Sequence, residues 1–301
     1  MSDYQIVSDG GYPLSESPIW DVEKRVLYWC DIVRGELYQY EPQKNIVQII
    51  ASGLSVGGFT LTEQGGFMCA ALNGLYYWTK DGGFKLIKES HDGLEFICND
   101  TVADPTGRFI FGTKYYALEG KYPLAKLYSI DKDGSIKILD EGFHLPNGIG
   151  FSPDKKTMYF TDTIPREIYA YDYEVETGEA SNKRVFAKIP ETEGIPDGMT
   201  VDAEGYVWSA QWYGSCLVRY DPDGKVERYV KTPAKQTSSV IFGGDDLTDI
   251  YVTTAGDSAR LPIAPPGYDF DANDIGGAVY KYNFGIKGMA EYKADLPFVL
   301  S

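Results

Sequence analysis

Glu16, Asn99, Asn147 and Asp197 each carry side-chain oxygen, and each stands at the same point of a phrase that the chain repeats six times. The copies begin at Glu16, Gly57, Asn99, Asn147, Asp197 and Ser238, and an apolar residue follows four positions on in each: Trp20, Leu61, Ala103, Phe151, Val201 and Phe242. Two acids and two amides, without imidazole or thiolate, make a donor set for a hard divalent cation. Ca²⁺ suits it first; Mg²⁺ and Mn²⁺ share its preference, and Zn²⁺ and Fe²⁺ also accept carboxylate and amide oxygen. Two carboxylates offset the charge of one such ion and leave places for water. Taken singly, each residue has an ordinary explanation. Asn147-Gly148 and Asp197-Gly198 read as turns, Asn99 as a residue bonding its own backbone, and Glu16 as a solvated acid. Their common phase in an internal repeat is what predicts a shared metal site.

Four side chains so far apart in sequence can meet only if the repeat is arranged radially. A short apolar segment follows each phrase: RVLYWCD, GFMCAAL, GRFIFGT, TMYFTDT, GYVWSAQW and DIYVTTAG. Alternating Tyr-rich segments come next (ELYQYEPQ, GLYYWTKDGG, KLYSIDKDG, EIYAYDYEVETG, CLVRYDPDG, AVYKYNFGIKG), and three of them end in Asp-Gly, a strong hairpin signal. A polar-edged strand such as KLIKE or VERYVKT closes each unit. Each unit therefore reads as a turn bearing the ligand position, an inner strand, a further strand, a hairpin and an outer strand. The expected fold is all-β: a six-bladed β-propeller with four antiparallel strands per blade and the metal in its central channel. One domain spans residues 1–301. The segment Tyr4–Ser8 is expected to complete the final blade, AEYKADL at 290–296 to close it, and Leu261–Tyr268 to form a long loop within it.

Composition narrows the partners. A formal charge of −16 disfavours a phosphate backbone, so no nucleic-acid partner is expected. Cys30, Cys69, Cys98 and Cys216 show no zinc-like spacing. The N-terminal MSDYQIVSDGG has neither a basic nor an apolar leader region, and no apolar run approaches a membrane span. Cytoplasmic residence with free thiols, no membrane partner and a monomer or weak homo-oligomer are the expectations.

The runs LSESPIWD, NDTVADPTGRFIFGT, PNGIGFSPDKKTMYFTDT and PDGMTVDAEGYVW resemble the senescence-marker-protein/gluconolactonase/luciferin-regenerating-enzyme family, and TSSVIFGGDDLTDIYVTTAG resembles its last blade. The resemblance spans about residues 10–285, with the motifs in the family's order. It implies a six-bladed propeller, a single divalent metal in the channel and hydrolysis of sugar lactones. By motif match, Glu16, Asn147 and Asp197 fall on metal-ligand positions, and Asn99 on a position touching substrate or a metal-bound water. One departure stands out. The family usually has Arg two residues before the Asn of its N-D motif, and here that residue is Ile97. Lys114, where Met is common, is a candidate replacement cation; a surface lysine is the plain alternative, and a less polar substrate is another.

The resulting expectation is a metal-activated water opening a small lactone, with Asp197 as general base and Asn99 orienting the substrate. Lys114 would bind substrate oxygen, and Tyr115, Tyr116 and Trp212 would supply apolar walls. His91 and His144 are read as loop residues. No G-x-S-x-G, P-loop or dinucleotide fingerprint is present. Two rivals remain: an aryl-ester or organophosphate hydrolase on the same metal, and a non-enzymatic binding propeller, suggested by LYWCD and MYFTDT.

Overall fold

The computed structural model describes residues 4–115, 123–256, 263–272 and 276–300. Six antiparallel sheets of four strands each follow one another along the chain, as the repeat predicts. The innermost strands are Ser15–Asp21, Val56–Leu61, Cys98–Ala103, Pro146–Phe151, Ile195–Val201 and Thr237–Gly243. Each packs beside the next, and the last returns to the first, so the sheets form a closed ring of blades. Closure is made by the N-terminal strand Gln5–Ser8, which pairs with Val279–Asn283 as the outer edge of the sixth sheet. A closed ring leaves no inter-blade edge free to recruit another chain.

The repeated phrase proves to be the innermost strand itself, not a turn ahead of it. RVLYWCD and its counterparts form the second strands, exemplified by Val26–Asp31. The inner strands are not regular. All six slip register at the ligand position: between Glu16 and Ile19, Val56 and Gly58, Cys98 and Thr101, Pro146 and Ile149, Pro196 and Met199, and Thr237 and Ser239. A bulge inserts an unpaired residue and re-aims its side chain. Here Asn99, Asn147 and Asp197 are among the unpaired residues, while Glu16 is the paired residue at the edge of its bulge, opposite Cys30. Gly148 and Gly198 follow two of these residues, and neither has a positive φ. Their need for glycine is close approach. A Cβ on Gly198 would lie 2.1 Å from Ser239 Oγ, and one on Gly148 would lie 2.5 Å from the Met199 nitrogen. The Asn-Gly and Asp-Gly pairs are therefore contact points between neighbouring blades.

The C-terminal segment does not close the last blade. Gln5–Ser8 already occupies that edge, so residues 287–296 run across one end of the ring instead. Ala203 N–H donates to Lys287 O and Gly288 N–H to Leu247 O; Ala294 N–H donates to Leu61 O and Asp295 N–H to Gly107 O. Lys293 pairs with Glu23, and the Tyr292 ring meets Phe151 edge-on. This one segment thus touches all six blades and buries Ala294 and Leu296. Leu261 and Pro262 of the predicted loop lie outside the described residues. Residues 263–268 belong to the long connection between Asp249–Thr254 and Val279–Asn283, the second and third strands of the sixth blade. No helix among the described residues is long and apolar enough to cross a membrane.

Candidate active site

The inner ends of the blades enclose a cavity of about 540 Å³, mouth included, lined by Leu14, Glu16, Ile32, Asn99, Lys114, Leu145, Asn147, Thr163, Ile195, Asp197 and Trp212. The lining is built from three phases of the repeat. The first, two residues before the ligand position, gives Leu14, Leu145 and Ile195. The second gives Glu16, Asn99, Asn147 and Asp197. The third, where each second strand ends, gives Ile32, Lys114, Thr163 and Trp212. The first and third phases are tied across the strand pair. The N–H of Ile32 donates to Leu14 O at 3.0 Å, that of Lys114 to Ile97 O at 2.5 Å, and that of Thr163 to Leu145 O at 3.0 Å; Ile195 faces Trp212 in the ladder.

The structure brings together every sequence-predicted site residue except the tyrosines. Tyr115 turns away from the cavity into the core beside Val102, Ile110 and Phe143, and its hydroxyl donates to Glu95 O at 2.7 Å. An apolar side chain following the third-phase lysine alternates to the opposite face, which is why it cannot be a cavity wall. Tyr116 lies outside the described residues. His144 is half exposed at the rim, where its ring stands 3.6 Å from Asp162. Thr163 and the apolar trio Leu14, Leu145 and Ile195 escaped the sequence reading. Their signal was present in the repeat: Thr163 shares its phase with Lys114 and Trp212.

Hydrogen bonds hold the two amides. Asn99 Nδ2 donates to Pro146 O at 2.8 Å and to Asn147 Oδ1 at 3.1 Å. Asn147 Nδ2 donates to Thr163 Oγ1 at 3.0 Å and also engages the Asp197 carboxylate. Glu16 Oε2 accepts from the N–H of Ser17, a non-glycine residue held at a φ of 52° within the bulge. The two carboxyls are 9% and 6% exposed for Glu16 and Asp197. Burial pushes both well above the usual carboxylate range, and the neighbouring negative charges add to it: Asp197 and Asp100 on Glu16, and Asp100 on Asp197. Burial lowers the Lys114 ammonium, against the pull of Asp197 and Glu16. Like-charged carboxyls sharing a buried site are stabilised by a cation between them. Glu16, Asn147 and Asp197 therefore fit a hard divalent ion by donor type, charge and shared cavity.

The description SMP-30/Gluconolactonase/LRE-like region matches residues 14–256. The chain belongs to this family. Pentonolactonase XacC of Haloferax volcanii is 35% identical over 96% of the chain and 97% of its own length. Among solved structures, a luciferin-regenerating enzyme superposes with a TM-score of 0.84 at 27% identity, covering 98% of this chain and all of its own. A calcium-binding protein, regucalcin, from Agrobacterium tumefaciens superposes with a TM-score of 0.84 at 25% identity, covering 97% of each chain.

This SMP-30/gluconolactonase-like chain has a second, more polar chamber lined by Asp100, Glu291, Thr60, Thr101, Ser17 and Ser239. Glu291 reaches it from the C-terminal segment and bonds to Thr200. Burial raises Asp100 to about 6, and burial plus the Asp100 charge raises Glu291 to about 7. A raised carboxyl holds its proton in the folded chain after the unfolded chain has released it. Its contribution to stability is therefore fully present below the ordinary carboxylate range and is lost as pH rises through about 7. Metal-free protein is expected to melt at progressively lower temperature between about pH 4 and pH 7, and Glu291→Gln to flatten that slope. An unchanged slope in the variant would remove Glu291 from this account.

Proposed function

We propose that this lactonase opens a small lactone, a sugar (aldono) lactone first, by attack of water at the ring carbonyl. The reading that it is a lactonase is supported by its family and by its 35% identity to a pentonolactonase. The observation that carries the mechanism is the convergence of Glu16, Asn147 and Asp197, from three blades, on one cavity with Asn99 and Lys114.

Glu16, Asn147 and Asp197 would hold a divalent ion, which when bound would supply Lewis acidity and lower the pKa of a water. Ca²⁺ is favoured by the all-oxygen donor set and by the likeness to a calcium-binding regucalcin. Asp197 accepts the proton of the water as the new C–O bond forms. The same carboxyl returns that proton to the ring oxygen as the old C–O bond breaks, which leaves an open-chain hydroxy acid. Asn99 has both amide hydrogens engaged by Pro146 and Asn147, so its oxygen is what remains to receive a substrate hydroxyl or a water. Lys114 places positive charge beside the carbonyl oxygen. Leu14, Ile32, Leu145, Ile195 and Trp212 form an apolar wall for the carbon face of the ring. The lining residues among those described all come from one chain, which is consistent with a monomer or weak homo-oligomer.

That apolar wall also suits an aryl ester, and one experiment separates the two substrates. Turnover is measured with saturating Ca²⁺ on five- and six-membered aldonolactones and, in parallel, on an aryl acetate. Lactone hydrolysis that falls on chelation is expected; aryl-ester hydrolysis without lactone turnover would replace this proposal.

A further inference from the structure

We infer that Thr163 is a positioning residue that sets the polarity of both amides in the site, and with it the oxygen Asn147 offers to a cation. The inference rests on the metal-site reading above. Thr163 directly follows the second strand of the fourth blade, Thr157–Asp162, and is 2% exposed. Its hydroxyl has one hydrogen, and that hydrogen goes to Pro196 O at 2.8 Å. Toward Asn147 the hydroxyl can therefore only accept, and it accepts from Nδ2 at 3.0 Å.

The Asn147 NH₂ is drawn both to Thr163 Oγ1 and to the Asp197 carboxylate, and Thr163 is the neutral, non-ligand member of that pair. The Asn147 oxygen turns the other way. That oxygen accepts from Asn99 Nδ2 at 3.1 Å and keeps a second lone pair. The other Asn99 hydrogen is taken by Pro146 O at 2.8 Å. Three residues thus point their hydrogens in one series: Asn99 to Asn147, Asn147 to Thr163, Thr163 to Pro196. The direction matters because the two ends of an amide have nearly the same shape and opposite charge. Reversal at Asn147 would present N–H to a cation in place of oxygen. At the same point of the repeat the other blades carry Ile32, Leu72, Lys114, Trp212 and Ala255. Only the blade whose ligand is Asn147 has a hydroxyl there.

The test is calorimetric titration of Ca²⁺, and separately Mn²⁺, into wild type, Thr163→Val and Thr163→Ser, with thermal melts of the metal-free proteins. Valine keeps the volume and removes the acceptor; serine keeps the acceptor. Thr163→Val is expected to raise Kd by about 10- to 100-fold, the usual cost of losing a residue that orients a ligand, while Thr163→Ser stays near wild type. Equal Kd values in wild type and Thr163→Val, with or without a lower Tm, overturn the role of Thr163 and leave the metal site standing. No binding of either ion by wild type overturns the metal reading, and this inference with it. If Thr163→Val does not fold, Thr163→Ala replaces it: weaker binding than Thr163→Ser supports the inference, and equal binding overturns it.

Discussion

Asp197→Ala is expected to lower kcat/KM for a lactone by about 10³-fold or more at saturating metal, because it removes a general base worth roughly 10² to 10⁴ together with a ligand. Asp197→Asn separates these two losses. The amide keeps an oxygen for the ion but cannot accept a proton, so metal binding should weaken less than in Asp197→Ala while turnover stays low. Neither change should harm the fold. Asp197 is 6% exposed and is held among the negative charges of Glu16 and Asp100, with Lys114 as the opposing charge. Removing one of several like charges from a buried, metal-free site relieves repulsion and desolvation. The metal-free Asp197→Asn protein should therefore melt no lower than wild type. Steady-state kinetics with thermal melts reads both effects. Wild-type turnover in Asp197→Ala would reject the mechanism, and a large drop in metal-free Tm would mean that Asp197 serves the fold.

Lys114→Met is expected to reduce kcat/KM by about 10- to 100-fold, the range set by losing one hydrogen bond from a charged group. Metal affinity should not fall. Lys114 is not a ligand, and its removal takes positive charge away from the cation's place. We propose that Lys114 supplies the positive charge of the site. Ile97, at the position where the family usually has an arginine, accepts the N–H of Lys114 at 2.5 Å. The two residues are cross-strand neighbours in the third blade; Lys114 lines the cavity, while Ile97 packs against the core that holds Tyr115. Full activity in Lys114→Met, measured at several substrate concentrations, would remove the lysine from substrate binding and leave it a cavity-lining residue without a role in turnover.

The chemistry of the site was legible because the ring is built by repetition. One glance along six copies of a phrase compares six blades at equal phase, and the four oxygen-bearing residues stand out by that comparison. The same device would have found Thr163, Leu14, Leu145 and Ile195, which share phases with residues already singled out. It failed at Tyr115, whose neighbour Lys114 does line the cavity, because adjacent strand residues point to opposite faces. It also misread Asn147-Gly148 and Asp197-Gly198. Their glycines are set by distances to Met199 and Ser239 on the next blade, and contacts of that kind leave no mark in local spacing.

By itself, the order of residues determined the number of blades and the oxygen-bearing set at equal phase, because these follow from period and residue type. Tertiary structure alone decided that each ligand position lies at or beside a bulge within an inner strand, that Asn147 donates to Thr163, and that residues 287–296 run across one end of the ring. Those features depend on hydrogen bonds and contacts between segments distant in the chain, whose partners are chosen only when the ring closes.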